Sequence, residues 1–208
     1  MIIFVSNSYF DESFKEKFYI DQWGHALAIL THDFPDQFVE ITDVLSRFEL
    51  KKSDLMDGGG SKSKISGYLD SELYSRGWKE KGFNISVSVD GVEHSLTTHK
   101  IDCVKNRIAL DIEWNNKTEF YDRDLKNFKM LHEIGAISVG IIVTRTTELQ
   151  TSIFKPLGIG SKYGASTTHL DKLTPKIENG AAGGCPILIF GIKSGAFVDD
   201  EQQVGMFS

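Results

Sequence analysis

The chain has 208 residues, of which 40% are hydrophobic and 25% charged, and its net charge is −6 at neutral pH. That is enough chain for one domain with a sizeable core, and the ordinary composition excludes a disordered or low-complexity polymer. The charge argues against a generic nucleic-acid coat but leaves room for a DNA enzyme, because a local basic cleft matters more than the total.

Residues 1 to 5, Met-Ile-Ile-Phe-Val, are apolar but too short for a signal or a membrane span, and they read as a short strand. Residues 11 to 31 are mixed, with Trp23, Ala26, Leu27 and Leu30 at helical spacing. Asp33-Phe34-Pro35-Asp36 offers a turn in which Pro35 can open a helix. Phe38, Ile41, Val44, Leu45 and Phe48 then predict an amphipathic helix over 36–48. Residues 56 to 64 hold three consecutive glycines without the spacing of a phosphate-binding loop, so they read as a mobile surface loop. Lys62 and Lys64 make that loop a candidate DNA contact.

A helix follows over about 65–76, with Leu69, Leu73 and the tyrosines Tyr68 and Tyr74 as inward candidates and Gly77 placed to end it. Phe83, Ile85, Val87 and Val89 alternate with polar residues as a strand, and Asp90-Gly91 signals a hairpin into 92–96. Beyond Lys117 the period turns helical over about 119–134. Ala136 to Thr144 reads as a buried strand, 155–165 as a glycine-rich loop and Ser166 to Leu173 as a helix. Thr174-Pro175 looks like a cap and first-turn proline of a second short helix. Ile187 to Ile192 is a last strand, and the tail from Ser194 reads as peripheral. Cys103 and Cys185 have no companions at zinc-site spacing and fit small buried residues of a reducing cytosol.

The stretch from 100 to 117 organises this order. Two apolar runs flank a bend at Lys105-Asn106-Arg107, which predicts two strands and a tight turn. In the second strand Ile108, Leu110, Ile112 and Trp114 alternate with Ala109, Asp111 and Glu113, so the two carboxylates share a face. Asp102 lies across the turn and can approach Asp111. Acids on one strand face are most often merely solvated. Three converging acids, however, repel unless a cation sits between them, and hard oxygen ligands in this number suit Mg²⁺. Lys100, Lys105, Arg107 and Lys117 border the acids, which makes an acidic metal spot with a basic rim, as hydrolysis of a polyanion needs. The element order predicts an α/β fold, a mixed central β-sheet flanked by helices. One domain spans 1–208, with an N-terminal helical part to 64, a core over 65–193 and a tail from 194.

In this order the chain resembles the PD-(D/E)xK nucleases, and more narrowly the type II restriction endonucleases of the BglII/BstYI/BamHI group. The likeness rests on Leu69 to Glu80, Asp102 to Trp114, Val139 to Leu149 and Cys185 to Ile192. The resemblance implies a Mg²⁺-dependent endonuclease that cuts double-stranded DNA at a short palindromic site, as a homodimer in a prokaryotic cytoplasm. It implies Asp102 and Asp111 as metal ligands and Asp102, Asp111 and Glu113 as the catalytic set. Asp111 is shorter than the usual Glu, and Glu113 stands where the common motif has Lys. The family's further polar side chain falls on Glu80 or Lys81. A cation for the transition state would come from Lys81 or Lys117. Candidate DNA contacts are Lys62, Lys64, Lys81, Asn115, Asn116, Lys117, Arg145, Lys162, Tyr163, Thr167, Thr168 and His169. The rival readings are a repair or recombination nuclease with the same core and a DNA-binding module without catalysis. The apolar faces of the helices near 36–48 and 119–134 are candidate dimer surfaces.

Overall fold

A computed structural model describes residues 9–57 and 63–203. The strand expected at 1–5 and the loop residue Lys62 lie outside the described residues. The N-terminal part runs α1 (Glu12–Lys17), β1 (Phe18–Trp23), α2 (Ala26–Asp33), α3 (Pro35–Arg47), β2 (Leu50–Lys51), α4 (Lys52–Met56) and α5 (Lys64–Tyr74). The middle runs β3 (Lys79–Lys81), β4 (Asn84–Val89), β5 (Val92–Thr97), β6 (Ile101–Lys105), β7 (Ile108–Glu113), α6 (Glu119–Glu133) and β8 (Val139–Arg145). The chain continues through α7 (Leu170–Glu178), β9 (Ile187–Ile192), β10 (Phe197–Val198) and α8 (Asp200–Gln203).

Six strands form one mixed sheet in the order β1-β9-β8-β7-β6-β3. β7, β8 and β9 are parallel, and β6, β3 and β1 run antiparallel to their neighbours. Alternation along the central strands decides what covers each face. Leu110, Ile112, Ile141, Val143, Leu188 and Phe190 pack with α2, α3 and α5. Ala109, Ile142, Ile187 and Ile189 pack with Tyr121, Leu125, Phe128 and Leu131 of α6 and with Leu173 and Ile177 of α7. At Gly140 a side chain would force its neighbours to move, since a Cβ there would stand 2.5 Å from the Phe128 ring.

The expected hairpin forms, and its turn residues Asn106 and Arg107 both have positive φ, as a two-residue turn between twisted strands requires. Pro35 does open α3. Tyr68 and Tyr74 depart from the inward expectation, each 38% exposed. Within the mixed segment 11–31, Ala26, Leu27 and Leu30 lie on α2 as their spacing suggests, but Trp23 belongs to β1, because Phe18–Trp23 pairs along its whole length with β9 and left-handed Gly24 and His25 divide it from α2. Residues 166–178 hold one helix, not two. α7 starts after His169, and Leu173 and Ile177, one turn apart, both bury on its inner side, so Pro175 is carried inside the helix. The described tail docks: β10 pairs with β2, and the Asp200 carboxylate accepts from the Ser53 hydroxyl at 2.6 Å and the Ser53 N–H at 3.1 Å. The apolar face of α3 is taken up by the chain's own sheet and α5, and that of α6 by the sheet and α7, because Ile41, Val44, Leu45, Tyr121, Leu125, Phe128 and Leu131 are all buried. No helix among the described residues is long and apolar enough to cross a membrane.

Candidate active site

The β6–β7 pairing matches Lys105 with Ile108, Val104 with Ala109 and Cys103 with Leu110. One step further along that register Asp102 faces Asp111. There the regular ladder gives way and the side chains take over its hydrogen bonds. The Asp102 N–H donates to Asp111 Oδ1 at 3.0 Å, and the Ile112 N–H donates to Asp102 Oδ2 at 2.9 Å. From α5 the Tyr74 hydroxyl donates to the Asp102 carbonyl at 3.1 Å, which ties the same strand end to the opposite face.

Asp111 and Glu113 do share a face, but α6 covers it and each is only 2% exposed. α6 also supplies two residues that the sequence reading missed, Arg123 and Asp124. The Asp124 carboxylate is fully buried and accepts from Arg123 Nε at 2.8 Å, and Arg123 Nη2 lies 3.5 Å from Glu113 Oε1. The Asn116 amide donates to Glu113 Oε2 at 2.9 Å. A signal for Asp124 was present: Tyr121, Asp124, Leu125 and Phe128 fall at the spacing of one helix stripe, and a carboxylate on an apolar stripe requires an explanation.

Burial, followed by the nearby Asp124 and Asp102 charges, holds the Asp111 carboxyl well above the usual carboxylate range. Burial, then Asp124, pushes Glu113 up to about 9, and burial raises Asp124 against the opposing pull of its hydrogen bond with Glu113 and of Arg123. The basic rim is rearranged. Lys105 and Arg107 sit at the turn end of the hairpin, roughly 10 Å or more along the strands from the acids. Lys105 is held there by Glu40 at 2.6 Å, and Lys100 pairs with Glu80 at 2.6 Å.

The proposed DNA-contacting residues divide into exposed and buried sets. Lys81, Lys117 and Lys162 lie on the surface, with Lys81 Nζ 4.3 Å from the Phe83 ring centre. Lys162 Nζ donates to the carbonyls of Leu55 and Asp57. Lys64 is exposed and paired with Asp54 and Asp57. Asn115, at φ 57, turns the chain out of β7 and donates to the Lys162 carbonyl at 3.1 Å. Asn116 pairs through its backbone with Thr168, and Lys117 bridges Thr167. Arg145, Tyr163, Thr168 and His169 are buried. Arg145 donates to the Tyr163 carbonyl and the Thr167 hydroxyl, Tyr163 stacks on Phe154 at 4.1 Å, and His169 meets the Thr147 hydroxyl at 3.1 Å. These four shape the loop beside Glu113 from within.

The profile of the family described as restriction endonuclease BglII/BglIII matches residues 18–192. The chain belongs to the BglII/BglIII restriction endonuclease family. The matched stretch opens on Phe18 and closes on Ile192, which are paired partners in the sheet, so all six of its strands lie inside the match. No individual curated protein matches the chain. As a BglII/BglIII enzyme it is a type II site-specific deoxyribonuclease, and its substrate is DNA.

Enzymes of this kind generally use a divalent metal. Among the described residues, no three His, Cys, Asp or Glu side chains gather round one point as a complete metal centre. The donor chemistry nevertheless fits a hard cation. Asp111 Oδ2 and Asp124 Oδ2 are buried oxygens with no hydrogen-bond partner among the described residues, and carboxylate oxygens in pairs with water are what Mg²⁺ takes.

The buried acids predict a pH dependence with a definite sign. Between the unfolded carboxylate range of about 4 and the value of about 9 for Glu113, the folded chain holds protons that the unfolded chain has released. Stability of the metal-free protein should therefore fall as pH rises through that window. Melting in EDTA should occur at lower temperature at about pH 8.5 than at about pH 6, by roughly 2–4 °C for each kcal/mol lost. An equal or higher melting temperature at the alkaline end would mean that the acids are not buried together.

Proposed function

We propose that this enzyme hydrolyses both strands of DNA at a short palindromic site, with Mg²⁺ as cofactor, as a homodimer in a prokaryotic cytoplasm. The observation that carries the reading is the facing pair Asp102 and Asp111 with Glu113 on the same covered face, at the splayed end of the hairpin. Asp102 and Asp111 would hold the cation. When bound, Mg²⁺ supplies Lewis-acid stabilisation of the charge that develops on the scissile phosphate.

Glu113, fixed by Asn116, orients the attacking water. Arg123 is the guanidinium nearest to Glu113 and offsets charge where the motif's lysine is absent. Lys81 and Lys117 remain free of ion pairs among the described residues and fit phosphate contacts that set register on the duplex. A dimer gives each strand of a palindrome its own acidic cluster. The inward apolar stripes of α3 and α6 are core and are not what such a dimer would bury.

The test uses gel shifts on a DNA fragment carrying the site, with no metal, Ca²⁺ or Mg²⁺. Ca²⁺ should neutralise the acids and support binding without hydrolysis, because its looser coordination positions water poorly. Equally tight binding with no metal at all would contradict acids that repel DNA when bare.

A further inference from the structure

Asp124 is the residue of the acidic cluster for which the proposed reaction has no use. It lies on α6, outside the hairpin that carries the other three acids, and its side chain is fully buried. Asp111, Glu113 and Asp124 are three buried carboxyl groups beside Asp102, and among the described residues Arg123 pairs with two of them, Glu113 and Asp124. Arg123 occupies Asp124 Oδ1 and approaches Glu113 Oε1, while Asn116 occupies Glu113 Oε2. Asp111 Oδ1 is used by the Asp102 N–H. The Asp124 and Glu113 carboxyls also hydrogen-bond each other, and two buried oxygens find no other donor among the described residues, Oδ2 of Asp111 and Oδ2 of Asp124, one from each side of the sheet–helix layer.

A buried carboxylate oxygen without a donor is costly, and two close together cost more unless a cation joins them. We propose that Asp124 is a further divalent-cation ligand of this enzyme, forming with Asp111 a two-carboxylate cradle that binds the ion before DNA arrives. The proposal rests on the reading of Asp111 as a metal ligand. Two carboxylates plus waters satisfy the coordination of Mg²⁺ or Mn²⁺, so no third protein ligand is needed. The helix that covers the site then also helps to hold the ion, and the ion draws α6 against β7.

Calorimetric titration of Mn²⁺ into the DNA-free full chain tests this, with Asp124→Asn and Asp111→Asn as variants of unchanged shape. The wild type should bind, and Asp124→Asn should bind at least about tenfold more weakly. The same variant should melt higher than wild type in EDTA and lose the rise in melting temperature that Mn²⁺ gives the wild type. Unchanged binding by Asp124→Asn, with binding lost in Asp111→Asn, would overturn the proposal and leave the proposed reaction standing. Unchanged binding in both variants, or none in the wild type, would overturn the proposal, and the first of these would remove Asp111 from the metal site as well. Should Asp124→Asn fail to fold, wild type loaded with Fe²⁺ and treated with ascorbate and peroxide gives a second measurement. Backbone scission near residues 123–125 as well as near 111 supports the cradle, and scission confined to the hairpin overturns it.

Discussion

Asp111→Asn should leave a folded protein that still binds DNA but cleaves it about 10³-fold more slowly or not at all, since a lost metal ligand forfeits several kcal/mol of transition-state stabilisation. Asn is a better replacement than Ala. Asp111 Oδ1 accepts the Asp102 N–H at 3.0 Å, and an amide oxygen can keep that bond, whereas Ala would leave a donor stranded in a buried place. The change also removes one charge from a cluster in which Asp124, Asp102 and Glu113 all oppose ionisation of Asp111. The melting temperature in EDTA should therefore rise while cleavage disappears. Stability and activity moving in opposite directions is the mark of a residue kept for chemistry. Cleavage of a plasmid at the wild-type rate would remove Asp111 from the mechanism.

Phe128→Ala should have the largest effect on stability. Phe128 is fully buried in the middle of α6, and its ring lies directly on the bare backbone of Gly140 in β8. Truncation leaves a cavity between helix and sheet that neither glycine nor a parallel strand can fill, at a cost of about 3–5 kcal/mol. For a chain of this size that is a fall in melting temperature of roughly 6–20 °C. Because α6 carries Arg123 and Asp124, cleavage should fall near the melting range before the protein is fully unfolded. Gly140→Ala attacks the same contact from the other side, and its Cβ would meet the ring at 2.5 Å. Overpacking of this kind costs about 1–3 kcal/mol. A shift of only a degree or two for Phe128→Ala would mean that α6 is not seated on β8 as described.

The sheet's central strands and the hairpin were legible because their cause is local. Ile108 to Trp114 alternates, Lys105-Asn106-Arg107 turns, and Ile187 to Ile192 is an uninterrupted apolar run. β1 was not legible. Phe18–Trp23 is an edge strand with one fully buried residue, and its identity as a strand comes from pairing with β9, some 170 residues away in sequence. Pro175 misled for a related reason: its local preference is for a helix start, but burial of Leu173 and Ile177 decides where α7 runs.

Within the site, facing of Asp102 and Asp111 could be read from turn length alone, since a two-residue turn fixes the register. That Asp111 and Glu113 are covered could not, because cover is supplied by α6. The same limit explains the DNA-contact candidates. Arg145 is polar and follows a strand, but it ends inside the loop that it braces, and its burial depends on Phe154 and Tyr163 reaching it from another segment.

The central claim is that this chain is a restriction enzyme whose acids work with a divalent cation. Digestion of a sequenced plasmid by the purified wild-type protein, with and without Mg²⁺, followed by mapping of the ends, tests it most directly. The account predicts discrete fragments whose ends all fall at one short palindrome, only when Mg²⁺ is present, and none with Asp111→Asn. Intact plasmid in Mg²⁺, or ends scattered without a common sequence, would contradict it.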